Sequence, residues 1–146
     1  MQLSRQGDYA IRAMIDLAQH HEKGPIHTED IAKRQDIPKM YLSKIIQALS
    51  KAGLIRTVRG NKGGIFLNKK PAKITLFEVI EAVEGQIALN ECLRYQGACS
   101  KEAICEVYPA WVKIQEVFKA ELSKHTINKF AKQNGKDTNE ASLNPL

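Results

Sequence analysis

Apolar residues recur at helical spacing in three stretches of the first half of the chain. Residues 8–21 carry a wide apolar stripe and predict a first helix. A short second helix is predicted from Thr28, a good N-cap residue, and a third from Pro38, which suits the first position of a helix. Asp36 lies in the turn between them, where aspartate tolerates a left-handed backbone, and Gly53 ends the third helix. The third helix is expected to bury Leu42, Ile45, Ile46 and Leu49.

After the third helix the pattern changes from helix to strand. Residues 54–59 and 65–68 are short apolar runs on either side of the glycine-rich segment 60–64, which predicts a β-hairpin. Two short helices joined by a tight turn and followed by a hairpin have the order of a winged helix-turn-helix. The predicted fold is therefore mainly α with a small β-hairpin wing.

The second half of the chain predicts a helix that begins at Thr75, because Glu78 completes a capping box, and that ends at Gly85. A long helix follows Pro109, and its apolar surface exceeds what so small a core can cover, which predicts a two-fold dimer. That surface comprises Trp111, Ile114, Val117, Phe118 and Leu122. The chain is divided into a winged helix-turn-helix domain (1–85), a cysteine loop (86–107), dimerisation helices (108–132) and a disordered tail (133–146).

Positive charge is concentrated in the middle of the chain. The net charge is +6, but residues 33–73 contain eleven of the 22 Lys and Arg residues and only one acid, Asp36. Such a one-sided stretch favours a polyanionic partner, and the alternative is a solvated basic face without a partner. No apolar run approaches the 18 residues of a membrane span, and the first residues lack the apolar core of a signal peptide, so a cytoplasmic protein is expected. The chain contains no phosphate loop and no plausible nucleophile–base pair, so we do not expect an enzyme.

Double-stranded DNA is the expected polyanion, since the second helix of a helix-turn-helix presents its N-terminal residues to the major groove. An arginine at a glycine-rich hairpin tip can enter a narrow minor groove, and a neighbouring lysine can contact phosphates. Met40 and Tyr41 could equally be ordinary surface residues, and the hairpin arginine could serve solubility. The predicted DNA contacts are Thr28, Lys39, Tyr41, Ser43, Lys44, Arg59, Gly60 and Lys62.

The three cysteines, Cys92, Cys99 and Cys105, lie within 14 residues of one another. Thiolates are the usual ligands of iron–sulfur clusters, and clustered cysteines in a reducing compartment more often bind metal or act in redox chemistry than form disulfides. The spacing is longer than that of zinc ribbons, which lowers the case for zinc. Redox-switch thiols and inert buried thiols are the other possibilities.

Taken together, these residues resemble the Rrf2 family of winged-helix regulators over about residues 1–130. The resemblance rests on residues 3–14, 41–44, 58–64 and 78–85 and on the three cysteines. The most specific part is the wing motif Val58-Arg59-Gly60-x-x-Gly63-Gly64 followed by those cysteines. The resemblance implies a homodimer joined through the long helix, palindromic promoter sites, and an iron–sulfur cluster, [2Fe-2S] or [4Fe-4S], whose loss or nitrosylation changes DNA binding.

The family resemblance also bears on a fourth cluster ligand. Some members use a histidine three residues after the last cysteine, but here that position is Tyr108. Other members use an acidic residue in the first helix of the partner subunit, and Asp8 occupies the matching place. We prefer Asp8 to Tyr108 or Glu106, although a carboxylate there could simply stabilise the start of a helix.

The expected function is a DNA-binding transcription regulator, usually a repressor, that senses nitric oxide, iron–sulfur status or redox state. One alternative is a clusterless regulator of thiol redox or sulfur metabolism. Another is a small metal-binding carrier protein whose basic face docks an acidic protein, although the helix-turn-helix and wing argue against it.

Overall fold

The computed structural model describes residues 2–132, and the tail predicted over residues 133–146 lies outside them. Within that part, short 3-10 turns connect six α-helices and one β-hairpin. The helices are α1 (Arg5–His20), α2 (Thr28–Gln35), α3 (Lys39–Lys51), α4 (Leu76–Glu84), α5 (Tyr108–Lys124) and α6 (Ile127–Ala131). The strands are β1 (Ile55–Val58) and β2 (Gly64–Leu67). None of the helices within residues 2–132 combines the length and apolar character of a membrane span.

Helix α1 begins three residues earlier than the pattern predicted, because Ser4 is its N-cap. The Ser4 hydroxyl accepts a hydrogen bond from the Gly7 amide at 3.2 Å, which satisfies one of the free amides of the first turn. The buried face of α1 is the centre of the core, which it shares with α2, α3, α4, the hairpin and α6. Its buried apolar residues are Ala10, Ala13, Met14, Leu17 and Ala18.

The helix-turn-helix is formed by α2 and α3. The prediction that Thr28 caps α2 is wrong by one residue: His27 is the N-cap, without a side-chain hydrogen bond, and Thr28 is the first helical residue. Asp36 ends α2 with the expected left-handed backbone, at φ 51° and ψ 51°. Pro38 is the N-cap of α3 rather than its first residue. The four apolar residues predicted for the buried face of α3 are all buried, as expected.

A buried carboxylate links α1 to α2. Asp16 is fully buried and accepts two hydrogen bonds from Arg34, from Nε at 2.9 Å and from Nη2 at 2.7 Å. Gln35 donates a third from Nε2 at 3.0 Å, and the His20 ring lies 3.6 Å from the same carboxylate. Buried charges are stable only when they are paired. This contact therefore fixes the position of α2, the first helix of the helix-turn-helix, against α1.

The hairpin forms the wing; β1 is one residue shorter at each end than predicted, and β2 begins and ends one residue earlier than predicted. They pair antiparallel from Ile55 opposite Leu67 to Val58 opposite Gly64. The wing is also tied to the segment before α2, since Ile26 and Ile65 exchange backbone hydrogen bonds of 3.1 and 2.7 Å. Backbone pairing therefore connects the wing directly to the segment that leads into α2.

The C-terminal helices differ in how they contact the core. The predicted capping box of α4 is confirmed, with Thr75 and Glu78 each bonding the other's backbone amide. Helix α6 returns to the core, where Ile127 is fully buried and its amide donates to the Ile74 carbonyl at 2.8 Å. In contrast, no residue of the 17-residue helix α5 is buried in the described protomer.

Candidate nucleic-acid interface and thiol loop

The exposed face of α3 carries an unusual apolar residue. Met40, the second residue of the helix, is 70% exposed, and Lys44 and Gln47 lie on the same side at successive helical turns. The Ser43 hydroxyl donates to the Lys39 carbonyl at 2.9 Å, so its one proton is used within the helix. The buried stripe fixes α3 to the core and leaves the opposite face open to a partner.

Tyr41 lies at the border between this face and α1. Its ring meets the Tyr9 ring edge to face, with centroids 6.0 Å apart, and the guanidinium of Arg12 lies 5.5 Å above the Tyr9 ring. The pair fixes the start of α3 against α1, while Tyr41 keeps 42% of its surface exposed. Tyr41 can therefore hold the helix in place and still present surface to a partner.

The wing tip is a tight turn with two exposed cations. The Gly63 amide donates to the Gly60 carbonyl at 2.9 Å, and Gly60 takes a φ of 105° that favours glycine. A Cβ on Gly63 would lie 2.0 Å from the Val58 carbonyl oxygen, so the turn closes only without a side chain there. Arg59 and Lys62 are exposed on either side of this narrow backbone, a shape suited to entering a groove.

A groove of about 230 Å³ separates the wing from the start of α2. His27, Thr28 and Thr57 are among its lining residues, and the helix end there has no side-chain cap. Uncapped helix N-termini present free amides that attract anionic oxygens such as those of phosphate. The sequence reasoning missed His27 and Thr57, because the Ile26–Ile65 pairing that forms the groove joins residues far apart in the chain.

The cations on this surface are unpaired. Among residues 2–132, Arg34 is paired with Asp16 and Lys69 with Glu78, whereas the predicted DNA-contacting cations form no ion pair. Those cations are Lys39, Lys44, Arg59 and Lys62. Their charge is therefore available to an external polyanion.

The three cysteines lie in the segment between α4 and α5, which the structure describes as turns and bends. Cys92 lies in the 3-10 turn Glu91–Leu93, and Cys105 directly follows the turn Glu102–Ile104. All three thiols are free and partly buried. Within residues 2–132, no three His, Cys, Asp or Glu side chains are arranged as a ready metal site. The structure thus places the thiols in one loop without bringing them together.

Glu102 organises the side of this loop that faces α5. Its carboxylate accepts the Gly97 amide at 2.7 Å, where the backbone turns through a φ of 86°. The Tyr108 hydroxyl donates a hydrogen bond to the same carboxylate, and this bond is the main cause of a pKa of Tyr108 above its usual value. Desolvation and the nearby Glu102 and Cys92 charges raise that pKa further. Tyr108 and Glu102 both line an open cleft of about 570 Å³ between the loop and α5.

Comparison with known proteins places these features in a known context. Residues 3–133 match the Rrf2 family of iron-dependent transcriptional regulators. The chain belongs to the Rrf2 family. The HTH-type transcriptional regulator IscR of Aliivibrio salmonicida is 38% identical over 111 residues, which cover 76% of this chain and 66% of that protein. The IscR of Klebsiella pneumoniae is 35% identical over 127 residues, covering 87% of this chain and 77% of the relative.

Solved structures agree with this Rrf2 assignment. CymR (YrzC), the global cysteine regulator of B. subtilis, is similar with a TM-score of 0.71 and 30% identity, over 90% of this chain and 97% of CymR. The IscR of T. potens gives the same TM-score at 29% identity, over 99% of this chain and 93% of that one. The predicted family and winged-helix fold are confirmed, and this Rrf2 protein is a transcriptional regulator with a DNA-binding winged helix.

Asp8, the predicted fourth cluster ligand, lies on the exposed side of α1. Its carboxylate is 3.7 Å from the Arg12 guanidinium, which also donates to the Gln35 carbonyl. Within one Rrf2 protomer, Asp8 does not form a group with the thiols. Its predicted role, like those of the cysteines and the DNA-contacting residues, stays a prediction.

Proposed function

We propose that this protein binds promoter DNA as a homodimer, usually as a repressor, and that an iron–sulfur cluster on Cys92, Cys99 and Cys105 controls this binding. The observation that carries the proposal is the position of the three free thiols. They occupy a single loop that runs directly into the exposed helix α5, on a chain whose reading surface carries unpaired cations. The signal is nitric oxide, iron–sulfur status or redox state.

DNA binding follows from the shape and charge of the surface formed by α3, the wing and the start of α2. The N-terminal half of α3 enters the major groove, and Lys39 and Lys44 face its base edges and flanking phosphates. Arg59 enters the adjacent minor groove, where the negative potential is highest, and Lys62 contacts the backbone beside it. The groove between the wing and Thr28 accommodates a phosphate at the start of α2.

Dimerisation follows from the exposure of α5. Ile114 and Val117 are 49% and 57% exposed, and Val107 and Ile104, just before them, are also exposed. Exposed apolar surface of this kind on a helix marks an interface, and a two-fold partner gives each α5 the same surface to pack against. Two reading heads related by this axis would contact two half-sites of a palindrome.

The thiol loop fits an iron–sulfur cluster by the chemistry of its donors. Three partly buried thiols, none in a disulfide, are the ligand type that these clusters take. The loop consists of short turns rather than long helices or paired strands, so the sulfurs can be gathered without breaking a long helix or a strand pairing. When bound, the cluster would supply a centre sensitive to oxidation and to ligand exchange. Cys92, Cys99 and Cys105 would hold it, with Asp8 of the partner protomer completing the set.

Anaerobic purification tests the cluster directly. The wild type is expected to be coloured, with visible charge-transfer absorption and bound iron and sulfide, and replacing any one of the three cysteines with serine should abolish the colour. Ser100→Ala, an exposed change in the same loop, is the matched control and should keep it. A wild type that contains zinc and takes up no iron on reconstitution would refute the cluster but leave the DNA-binding proposal intact.

Asp8 is tested by the substitution Asp8→Ala. The variant is expected to bind a cluster that is lost faster and to show a smaller difference in DNA affinity between cluster-loaded and cluster-free protein. Glu22→Ala, which removes an exposed acid just after α1 and away from the DNA-facing groove, is the control. Unchanged cluster lifetime and an unchanged affinity ratio would leave Asp8 as a helix-end carboxylate only.

A clusterless thiol regulator is the second candidate function. It is favoured by the similarity to CymR, the global cysteine regulator of B. subtilis. In that case colourless protein should still bind DNA, and its affinity should change on reversible oxidation of the thiols. The cysteine-to-serine variants would then lose the redox response and keep basal DNA binding.

The dimer is tested at α5. Ile114→Glu and Val117→Glu should yield folded monomers, because neither side chain is part of the protomer core. Ser123→Glu, an exposed change on the side of the same helix away from Ile114 and Val117, is the control and should remain dimeric. A wild type that sediments as a monomer at micromolar concentration would contradict the dimer.

A further inference from the structure

Met40 lies at the centre of the reading face and has no role in the fold. It is 70% exposed at the second residue of α3, on the side opposite the buried stripe. A large apolar side chain in water is unfavourable, and this one lies between Lys39 and Lys44, on a surface whose unpaired cations are suited to a polyanion. Its position indicates that it contacts the DNA itself.

The neighbouring side chains leave Met40 room to do so. The Ser43 hydroxyl proton is donated to the Lys39 carbonyl, and the Tyr41 ring packs edge to face on Tyr9. Met40 and Lys44 are four residues apart and therefore project side by side from α3. The Met40 thioether and the Lys44 ammonium group thus project together from this face, flanked by Lys39 and Gln47.

The chemistry of the major groove offers one apolar target. Each base pair there presents hydrogen-bonding groups, and only a T·A pair adds a methyl group, at C5 of thymine. An unbranched thioether is flexible and polarisable, so it can pack on a methyl group at several angles. Lys44, one turn further along α3, would reach a guanine edge or a phosphate beside it.

We propose that Met40 reads a thymine methyl group in the major groove, so that each operator half-site carries a T·A pair at one fixed position. This inference rests on the proposed function, because it specifies the DNA sequence that the α3 surface selects. Desolvating one methyl group corresponds to about a fourfold change in Kd, and therefore to about 15-fold when both half-sites of a palindrome are changed.

The test begins with a duplex that the full-length protein selects from a randomised DNA pool. Each thymine of that duplex is replaced in turn by deoxyuridine, which removes the methyl group and keeps the base pairing, and Kd is measured by fluorescence anisotropy at constant salt. One position per half-site should weaken binding about fourfold. Met40→Ala should bind the two duplexes equally at that position, and Met40→Leu should keep the difference. Gln47→Ala, on the same face, is the control and should also keep it.

The possible results distinguish failure of the Met40 proposal from failure of the proposed DNA-binding function. Equal affinity for thymine and deoxyuridine at every position would overturn the reading by Met40, although DNA binding would stand. The same would follow if Met40→Ala kept the full preference, because the methyl group would then act through the shape of the DNA. Salt-sensitive binding that enriches no sequence would also overturn it. Failure to bind any duplex would instead refute the proposed function.

Discussion

Replacing Arg34 with methionine should destabilise the protein strongly, although Arg34 lies at the surface of α2. The Asp16 carboxylate that it contacts is fully buried, and Arg34 provides two of its three hydrogen bonds, at 2.9 and 2.7 Å. In Arg34→Met, only Gln35 would still donate to this carboxylate, at 3.0 Å, with the His20 ring nearby. A charge would therefore remain in the core with most of its stabilisation removed.

The magnitude follows from the geometry of the pair. Removing one partner of a buried ion pair costs about 3–5 kcal/mol, mainly because the remaining charge is desolvated. The Arg34 side chain is 37% exposed, so water can approach the vacated site and the cost should lie near the lower end, about 3 kcal/mol. In the double variant Asp16→Leu/Arg34→Met no buried charge remains, and it should be more stable than Arg34→Met alone.

Urea unfolding followed by circular dichroism measures these free energies, with all variants at one protein concentration because dimerisation would shift the midpoint. Lys33→Met is the control, since Lys33 is exposed and has no such partner, and it should change stability by less than about 0.5 kcal/mol. An unfolding free energy for Arg34→Met within about 1 kcal/mol of the wild type, or a double variant less stable than Arg34→Met, would refute a large cost of leaving Asp16 unpaired.

Three further predictions concern the wing and the start of α4. Arg59→Ala should weaken operator binding by about 1–3 kcal/mol in anisotropy titrations without changing the melting temperature. Lys62→Ala should mainly reduce the salt dependence of binding. Unchanged affinity in both variants would count against DNA contact by the wing. Gly63→Ala should abolish operator binding and leave the helical circular dichroism signal intact, because a Cβ there would lie 2.0 Å from a carbonyl oxygen of β1; normal affinity would show that the turn can open. Burial raises the pKa of Glu78, but hydrogen bonds from Lys69 and from the cap outweigh this and lower it below its usual value near 4.5. The contribution of Glu78 to the free energy of unfolding is therefore complete above about pH 4.5, and it is lost as the pH falls through the lower pKa of the folded state. Glu78→Gln should cost about 1 kcal/mol at pH 7 and flatten the acid limb of the curve of stability against pH. A parallel acid limb in the variant would assign that pH dependence to other groups.

Local patterns carried enough information to predict the helices and the wing. The capping pair Thr75 and Glu78, the left-handed Asp36 and the buried stripe of α3 depend on residues within a few positions of one another, and the structure confirms each of them. The start of α1 and the cap of α2 were misplaced because several consecutive residues could serve, and tertiary contacts decide between them. Ser4, for example, also bonds to Glu84 of α4.

Contacts between distant segments could not be read from the sequence. The Ile26–Ile65 pairing that forms the groove has no local signal, and neither has the docking of α6 beside Ile74. Asp16 is the one signal of this kind within residues 2–132, because a charged residue on the buried stripe of α1 needs a buried partner. The cysteines were found from their spacing, but their arrangement depends on turns that spacing alone does not specify.

The division of α3 into a buried face and an open face has a consequence for how this regulator can diverge. Positions 40, 44 and 47 lie outside the core, so exchanges there should alter stability by less than about 0.5 kcal/mol each. A combinatorial library at these three codons should therefore yield mostly folded proteins with different operator preferences. Gene duplication could supply the same diversity, because a copy can acquire new target promoters before it needs any compensating change in its interior.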